Sequence, residues 1–147
     1  MDACIKQFIQ LQRATTICCA DEEGNPYCFS CFYAFCAEDG LLYFKTSASS
    51  HHTGMMLQRR QLSGTILPDE LNPLVVKGIQ WTGILLPDSD HLSDYSSVQY
   101  HKRFPFAMAM PGDVYTVQLT WIKMTDSSKV FGKKTVWHKP EHEHELV

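Results

Sequence analysis

The chain opens on helical spacing and then turns to short, strand-like apolar runs. Cys4, Ile5, Phe8 and Ile9 share one stripe of a helix from Asp2 to Gln12, with Asp2 placed to cap it. Thr15 to Ala20 is β-branched and apolar and predicts a strand. Asp21 to Pro26 predicts a turn, and Tyr27 to Cys36 a second strand carrying Phe29, Phe32, Tyr33 and Phe35. Glu38-Asp39-Gly40 signals a hairpin into a third strand, Leu41 to Thr46. A helix from about Ser50 to Arg60, weakened by Gly54, precedes a fourth strand, Gln61 to Leu67, which Pro68 ends. Leu74 to Leu86 is strongly β-like, with Gly78 and Gly83 marking bulges or close backbone approaches. Pro87 to Asp90 caps a short helix holding Leu92, Tyr95 and Val98. Tyr115, Val117, Leu119 and Trp121 alternate with Thr116, Gln118 and Thr120, as a half-buried antiparallel strand requires. Lys129 to Trp137 predicts the last strand.

Long crossover helices between successive strands are absent from this pattern, which disfavours a doubly wound parallel sheet. Six or seven strands with turns between them and two or three short helices fit a mainly β chain, a small antiparallel barrel. A length of 147 residues suits one compact domain, taken as residues 1–140, with residues 141–147 as a flexible tail. The tail's His142 and His144 have a loose metal-binding spacing, but a solvated end is the simpler reading, and no metal site is expected.

Composition narrows the function classes. Hydrophobic residues make up 44% and charged residues 20%, and the net charge is −3 with scattered basic residues, so no nucleic-acid partner is expected. The apolar runs are too short to span a bilayer, and the first residues lack a secretory pattern. Six cysteines (Cys4, Cys18, Cys19, Cys28, Cys31, Cys36) are therefore expected as reduced thiols in a cytoplasmic protein. Cys28 and Cys31 are three apart on a strand, where they face opposite sides and do not share a metal.

Candidate chemistry concentrates in Thr46-Ser47-Ala48-Ser49-Ser50-His51-His52, between a strand and a helix start. Unpaired amides and the positive end of a helix dipole, joined by hydroxyls and by Lys45 if its side chain turns the same way, can hold a phosphate. An ordinary Ser-capped turn is the alternative. No Ser/His/Asp or Cys/His set and no carboxylate pair stands out, so no catalytic residue is named.

The ordered set of these stretches resembles the FMN-binding split-barrel superfamily that includes pyridoxamine 5′-phosphate oxidase. Thr16 to Ala20 with Gly24-Asn25-Pro26, Leu42 to Ser47 with Ser50-His51-His52, and Gly78 to Gly83 carry the likeness. Tyr100 to Pro105 and Phe131 to Trp137 are similar to a bacterial subgroup of small, single-domain members. The resemblance implies a six-stranded Greek-key barrel that pairs with a twin, with FMN at the homodimer interface. It assigns the phosphate to Lys45, Thr46, Ser47, Ser50 and His51, the flavin to Gln80 and Trp81, and a reach into the partner's site to Lys134 and Trp137. Trp81 and Trp137 also suit plain packing roles. The implied activity is a flavin-dependent oxidoreductase taking a hydride from a reduced nicotinamide or another small substrate. The alternative is a non-catalytic flavin-binding or ligand-carrying dimer with a degenerate site. One departure favours the alternative: many members carry Arg or Lys at the position of His51 and another basic residue at that of Gly54. Loss of fixed charge is expected to weaken phosphate binding.

Overall fold

A computed structural model describes residues 1–129 and 132–141. The elements are α1 (Ala3–Leu11), β1 (Ala14–Ala20), β2 (Pro26–Cys36), β3 (Leu41–Thr46), α2 (His51–Gln58), β4 (Gln61–Ile66), β5 (Lys77–Leu85), α3 (Ser96–Arg103), β6 (Asp113–Asp126) and β7 (Lys133–His138). Short 3₁₀ turns cover His91–Ser93 and Pro105–Ala109.

All pairings are antiparallel, in the order β3-β2-β1-β4-β5-β6-β7, and β3 also pairs β6. That last contact closes six strands into a barrel. β6 is long enough to serve two neighbours along one edge. Its first half, from Asp113 to Gln118, pairs β3, and its second half, from Trp121 to Asp126, pairs β7. A register shift beside Thr82 and Gly83, with Leu119 and Trp121 facing them, bends the β5–β6 pair. A Cβ at Gly83 would lie 2.8 Å from the Gln118 carbonyl oxygen, so the close approach anticipated at this glycine is present.

The barrel is filled by Ile17, Phe44, Trp81, Leu85, Val117, Leu119 and Ile122, all fully buried. The Trp81 indole N–H donates to Thr15 Oγ1 at 3.1 Å, which satisfies its one polar atom. β3 reads Leu-Leu-Tyr-Phe without alternation because both of its faces are covered. Leu42 and Phe44 point into the barrel, while Leu41 and Tyr43 join Ala34, Tyr100, Phe104 and Ala107 in a second cluster beneath α3.

Helix α1 docks on the barrel through Ile5, Phe8 and Ile9. Asp2 caps it as anticipated, its carboxylate accepting the Cys4 N–H at 2.8 Å. Its C-terminal end is tied down from elsewhere. The Tyr33 hydroxyl donates to the Ile9 carbonyl at 2.6 Å, and the Arg103 guanidinium donates to the Gln10 and Gln12 carbonyls at 3.0 and 2.7 Å.

Three expectations change. The strand foreseen from Leu74 begins at Lys77. The short helix foreseen around Leu92, Tyr95 and Val98 is a 3₁₀ turn followed by α3, which buries Ser96 and Tyr100 and leaves Tyr95 and Val98 exposed. Not all six cysteines are thiols: Cys18 and Cys28 face each other across β1 and β2, Cα–Cα 4.4 Å, and are joined as a disulfide. Such a short Cα separation belongs to the non-hydrogen-bonded pairs of an antiparallel ladder, where opposing side chains are closest. Thiol titration of the denatured, unreduced protein should find only Cys4, Cys19, Cys31 and Cys36, and two further thiols should appear after reduction. Six thiols before reduction would contradict the cross-link. Residues 130–131 and 142–147, with the foreseen tail and its histidines, lie outside the described residues.

Candidate ligand site at the β3–α2 junction

The Ser/Thr/His run forms the tight passage from the end of β3 into α2. It holds itself together. Thr46 Oγ1 and His52 Nε2 are 2.7 Å apart, and the Ser47 and Ser49 hydroxyls are 2.9 Å apart. The Thr53 hydroxyl donates to the Ser47 carbonyl at 2.7 Å, and the Ser50 N–H donates to the same carbonyl at 3.2 Å. Ser50 is the N-cap of α2 but makes no side-chain capping bond. As the N-cap residue, Ser50 adjoins the first amides of the helix, the groups most suited to an anion, and its hydroxyl is not spent on them. A Cβ at Gly54, one turn on, would meet nothing within 4 Å.

The two histidines diverge because adjacent residues on a helix differ by about 100° in direction. His51 is exposed, with its ring edge-on to Tyr27 at 5.0 Å. His52 turns inward and stacks on Phe29, ring centres 3.7 Å apart and planes within 10°. Burial, and then the neighbouring His51, push the His52 pKa below its usual 6.5. The unfolded chain therefore takes up this proton at higher pH than the folded one. The contribution of neutral His52 is complete above the usual value and is lost as pH falls through the lowered one. Denaturant midpoints should drop on acidification through that window, and His52→Gln should flatten the dependence.

The other predicted residues do not all converge here. Lys45 does not turn to the same side as Thr46 in this chain. Adjacent strand residues point to opposite faces, and while Thr46 turns to His52, the Lys45 ammonium lies under α3, 3.0 Å from His101 Nε2 and 2.7 Å from the Ala107 carbonyl oxygen. Trp81 is 1% exposed inside the barrel, packed as a core residue. Its neighbour Gln80 is exposed on the outer face of β5, between Thr65 of β4 and Lys123 of β6. Lys134 is exposed on β7 opposite Thr125, and Trp137 is half-buried opposite Ile122, near Gly40. β3 enters the β6 ladder at Asp113, so most of the length of β6 separates these two from Thr46 within one chain. His52, part of the candidate run but given no role of its own, meets Phe29 here, and Phe29 and Tyr27 are site neighbours that the sequence placed only on β2. The only signal for them was the run of two histidines facing an aromatic-rich strand.

No family model matches the chain. Full-length relatives are UPF0306 proteins. That of Photorhabdus laumondii is 30% identical over 135 residues, covering 92% of this chain and 94% of the relative. That of Serratia proteamaculans is 32% identical over 133 residues, covering 90% and 92%. The chain belongs to the UPF0306 family. Solved structures similar to this UPF0306 chain include a heme-binding protein from Mycobacterium smegmatis, with TM-score 0.72 and 13% identity over 89% of this chain and 55% of that one, so the chain spans about half its length. A FAD-binding protein from Mesorhizobium loti gives 0.67 and 14%, covering 86% and 96%. A pyridoxamine 5′-phosphate oxidase-related, FMN-binding protein from Nostoc punctiforme gives 0.64 and 11%, covering 88% and 82%. At these identities the likeness shows the fold, and the UPF0306 chain is a split barrel of the pyridoxamine 5′-phosphate oxidase type. No helix among the described residues is long and apolar enough to cross a membrane.

Proposed function

We propose that this UPF0306 protein is an FMN-binding homodimer, with the phosphate at the start of α2. The observation that carries the reading is the uncapped Ser50 beside the first amides of that helix. Ser50, His51 and the adjoining Thr46 and Ser47 would hold the phosphate. Gln80, on the outer face of β5, is open to the flavin edge. Lys134 and Trp137 lie too far along β6 to join this site within one chain, so their place in it requires a twin. FMN, when bound, supplies two-electron redox chemistry; the chain supplies position and electrostatics.

A second reading, a flavin- or ligand-binding dimer without turnover, is favoured by a specific feature. The hydroxyls of Thr46 and Ser47 are already engaged with His52 and Ser49, and His51 carries no fixed charge. Both readings expect weak but measurable binding, read as quenching of flavin fluorescence. His51→Arg, with Gly54→Lys placed in the open space beside it, should tighten FMN by about tenfold through charge-assisted hydrogen bonds. Equal affinity in wild type and variant would remove this loop from the phosphate site. Bleaching of the bound flavin by NADH or NADPH separates the oxidoreductase from the carrier.

A further inference from the structure

The side of β3 facing away from the loop holds a cation with no anion partner among the described residues. Lys45 Nζ sits between His101 Nε2 and the Ala107 carbonyl oxygen. An ammonium only donates, so His101 Nε2 accepts, and the proton of this neutral imidazole is on Nδ1, 2.8 Å from the Ser97 carbonyl oxygen. Both partners of Lys45 are thus uncharged. Among the described residues, none of the three ion pairs includes Lys45. Among the described residues, two of its three N–H groups are used and one remains.

Lys45 lines a recess of about 420 Å³ between the outer face of β1–β2 and the 3₁₀ turn Pro105–Ala109. Ser30, Phe32, Tyr100, Phe106 and Met110 line it with Lys45. Phe32, Phe106 and Met110 are 48%, 61% and 57% exposed, so three large apolar side chains face water around one half-buried positive charge. Unpaired charge in an apolar recess is costly, and an anion with an apolar body relieves both the charge and the exposed surface. One cation with one unused donor matches a single carboxylate.

We propose that this recess binds a small monocarboxylic acid with an apolar chain or ring, its carboxylate on Lys45 and its body against Phe32, Phe106 and Met110. The site stands independently of FMN binding, because Lys45 points away from the Thr46–His51 loop.

The test uses the full-length protein and octanoate in isothermal titration, with 1-octanol as the neutral match. Octanoate should bind at least about tenfold more tightly than octanol, since the charged hydrogen bond is absent from the alcohol. Lys45→Met should abolish that preference and Lys45→Arg should keep it. Phe106→Ala, at an exposed position that leaves folding intact, should weaken both ligands. This variant and the wild-type comparison of acid with alcohol decide the matter even if Lys45→Met does not fold. No octanoate binding at millimolar concentration, equal affinity for acid and alcohol, or displacement of octanoate by FMN would each overturn the proposal.

Discussion

Trp81→Ala should lower stability by about 4 kcal/mol, the cost of emptying a large, fully buried aromatic site. Trp81 is the largest side chain sealed inside the barrel and touches the strand network from its centre, since β5 pairs both β4 and β6. The strands on either side of it are held by their ladders and can relax only partly into the space. Against a total stability of about 5–15 kcal/mol for an ordinary domain, the variant should be partly unfolded at room temperature or melt far below wild type. Urea denaturation followed by circular dichroism measures it. Trp81→Phe keeps a six-membered ring in the core and loses the pyrrole edge with its N–H bond to Thr15. Thr15 Oγ1 still donates to the Thr65 carbonyl at 2.9 Å, so this change should cost about 1–2 kcal/mol. Similar midpoints for the two variants would mean that the ring does not fill the core as described.

Gly64→Ala should be nearly as damaging, for the opposite reason. Gly64 lies opposite Trp81 in the β4–β5 ladder and opposite Ile17 in the β1–β4 ladder. An added Cβ would run into the Thr16 carbonyl oxygen and the Trp81 ring. A side chain can turn aside, but a ladder carbonyl cannot without breaking its strand pairing. The expected loss is about 3 kcal/mol, at the upper end for overpacking. Combining Gly64→Ala with Trp81→Leu tests the account, because the smaller side chain removes one obstacle and leaves the other. The double variant should be more stable than the sum of the single effects allows, yet short of full rescue. Strict additivity would show that the ring and the glycine do not meet.

Much of this barrel was legible because its local signals agreed. The Asp2 cap and the helical stripe of Ile5, Phe8 and Ile9 each depend on nearby residues alone. The alternation along β6 placed Tyr115, Val117 and Leu119 in the core, but the expected half-buried strand is covered on both faces: Thr116 and Gln118 are buried too, and Trp121 is only half-buried. Gly40 has φ +65°, the left-handed turn geometry that the Asp39-Gly40 hairpin signal implies. The misses arose where distant residues decide. The disulfide follows from hairpin register: once Ala20 faces Pro26, Cys18 must face Cys28. Strand periodicity already put Lys45 and Thr46 on opposite faces. What it could not reveal was that α3 would cover the Lys45 side and offer His101 there. The buried face of α3 was misjudged because Tyr100 and Phe104, four apart, outweigh Tyr95 and Val98 only once the strands beneath them are in place. Within the candidate site, the hydroxyl-rich run was visible but its self-satisfied bonding was not, since Thr46 finds its partner only after the chain turns into α2.

The seam between β3 and β6 also bears on how the protein is made. Residues 41–46 bond along that side with residues 113–118, which leave the ribosome much later. Until then β3 has backbone groups on one side with nothing to bond, and the first half of the nascent chain cannot complete its sheet. Pairing across such a separation is slow because a long intervening segment must be ordered first. The emerging polypeptide thus passes through an interval with an open strand edge, the condition in which β-rich chains are most prone to join one another wrongly.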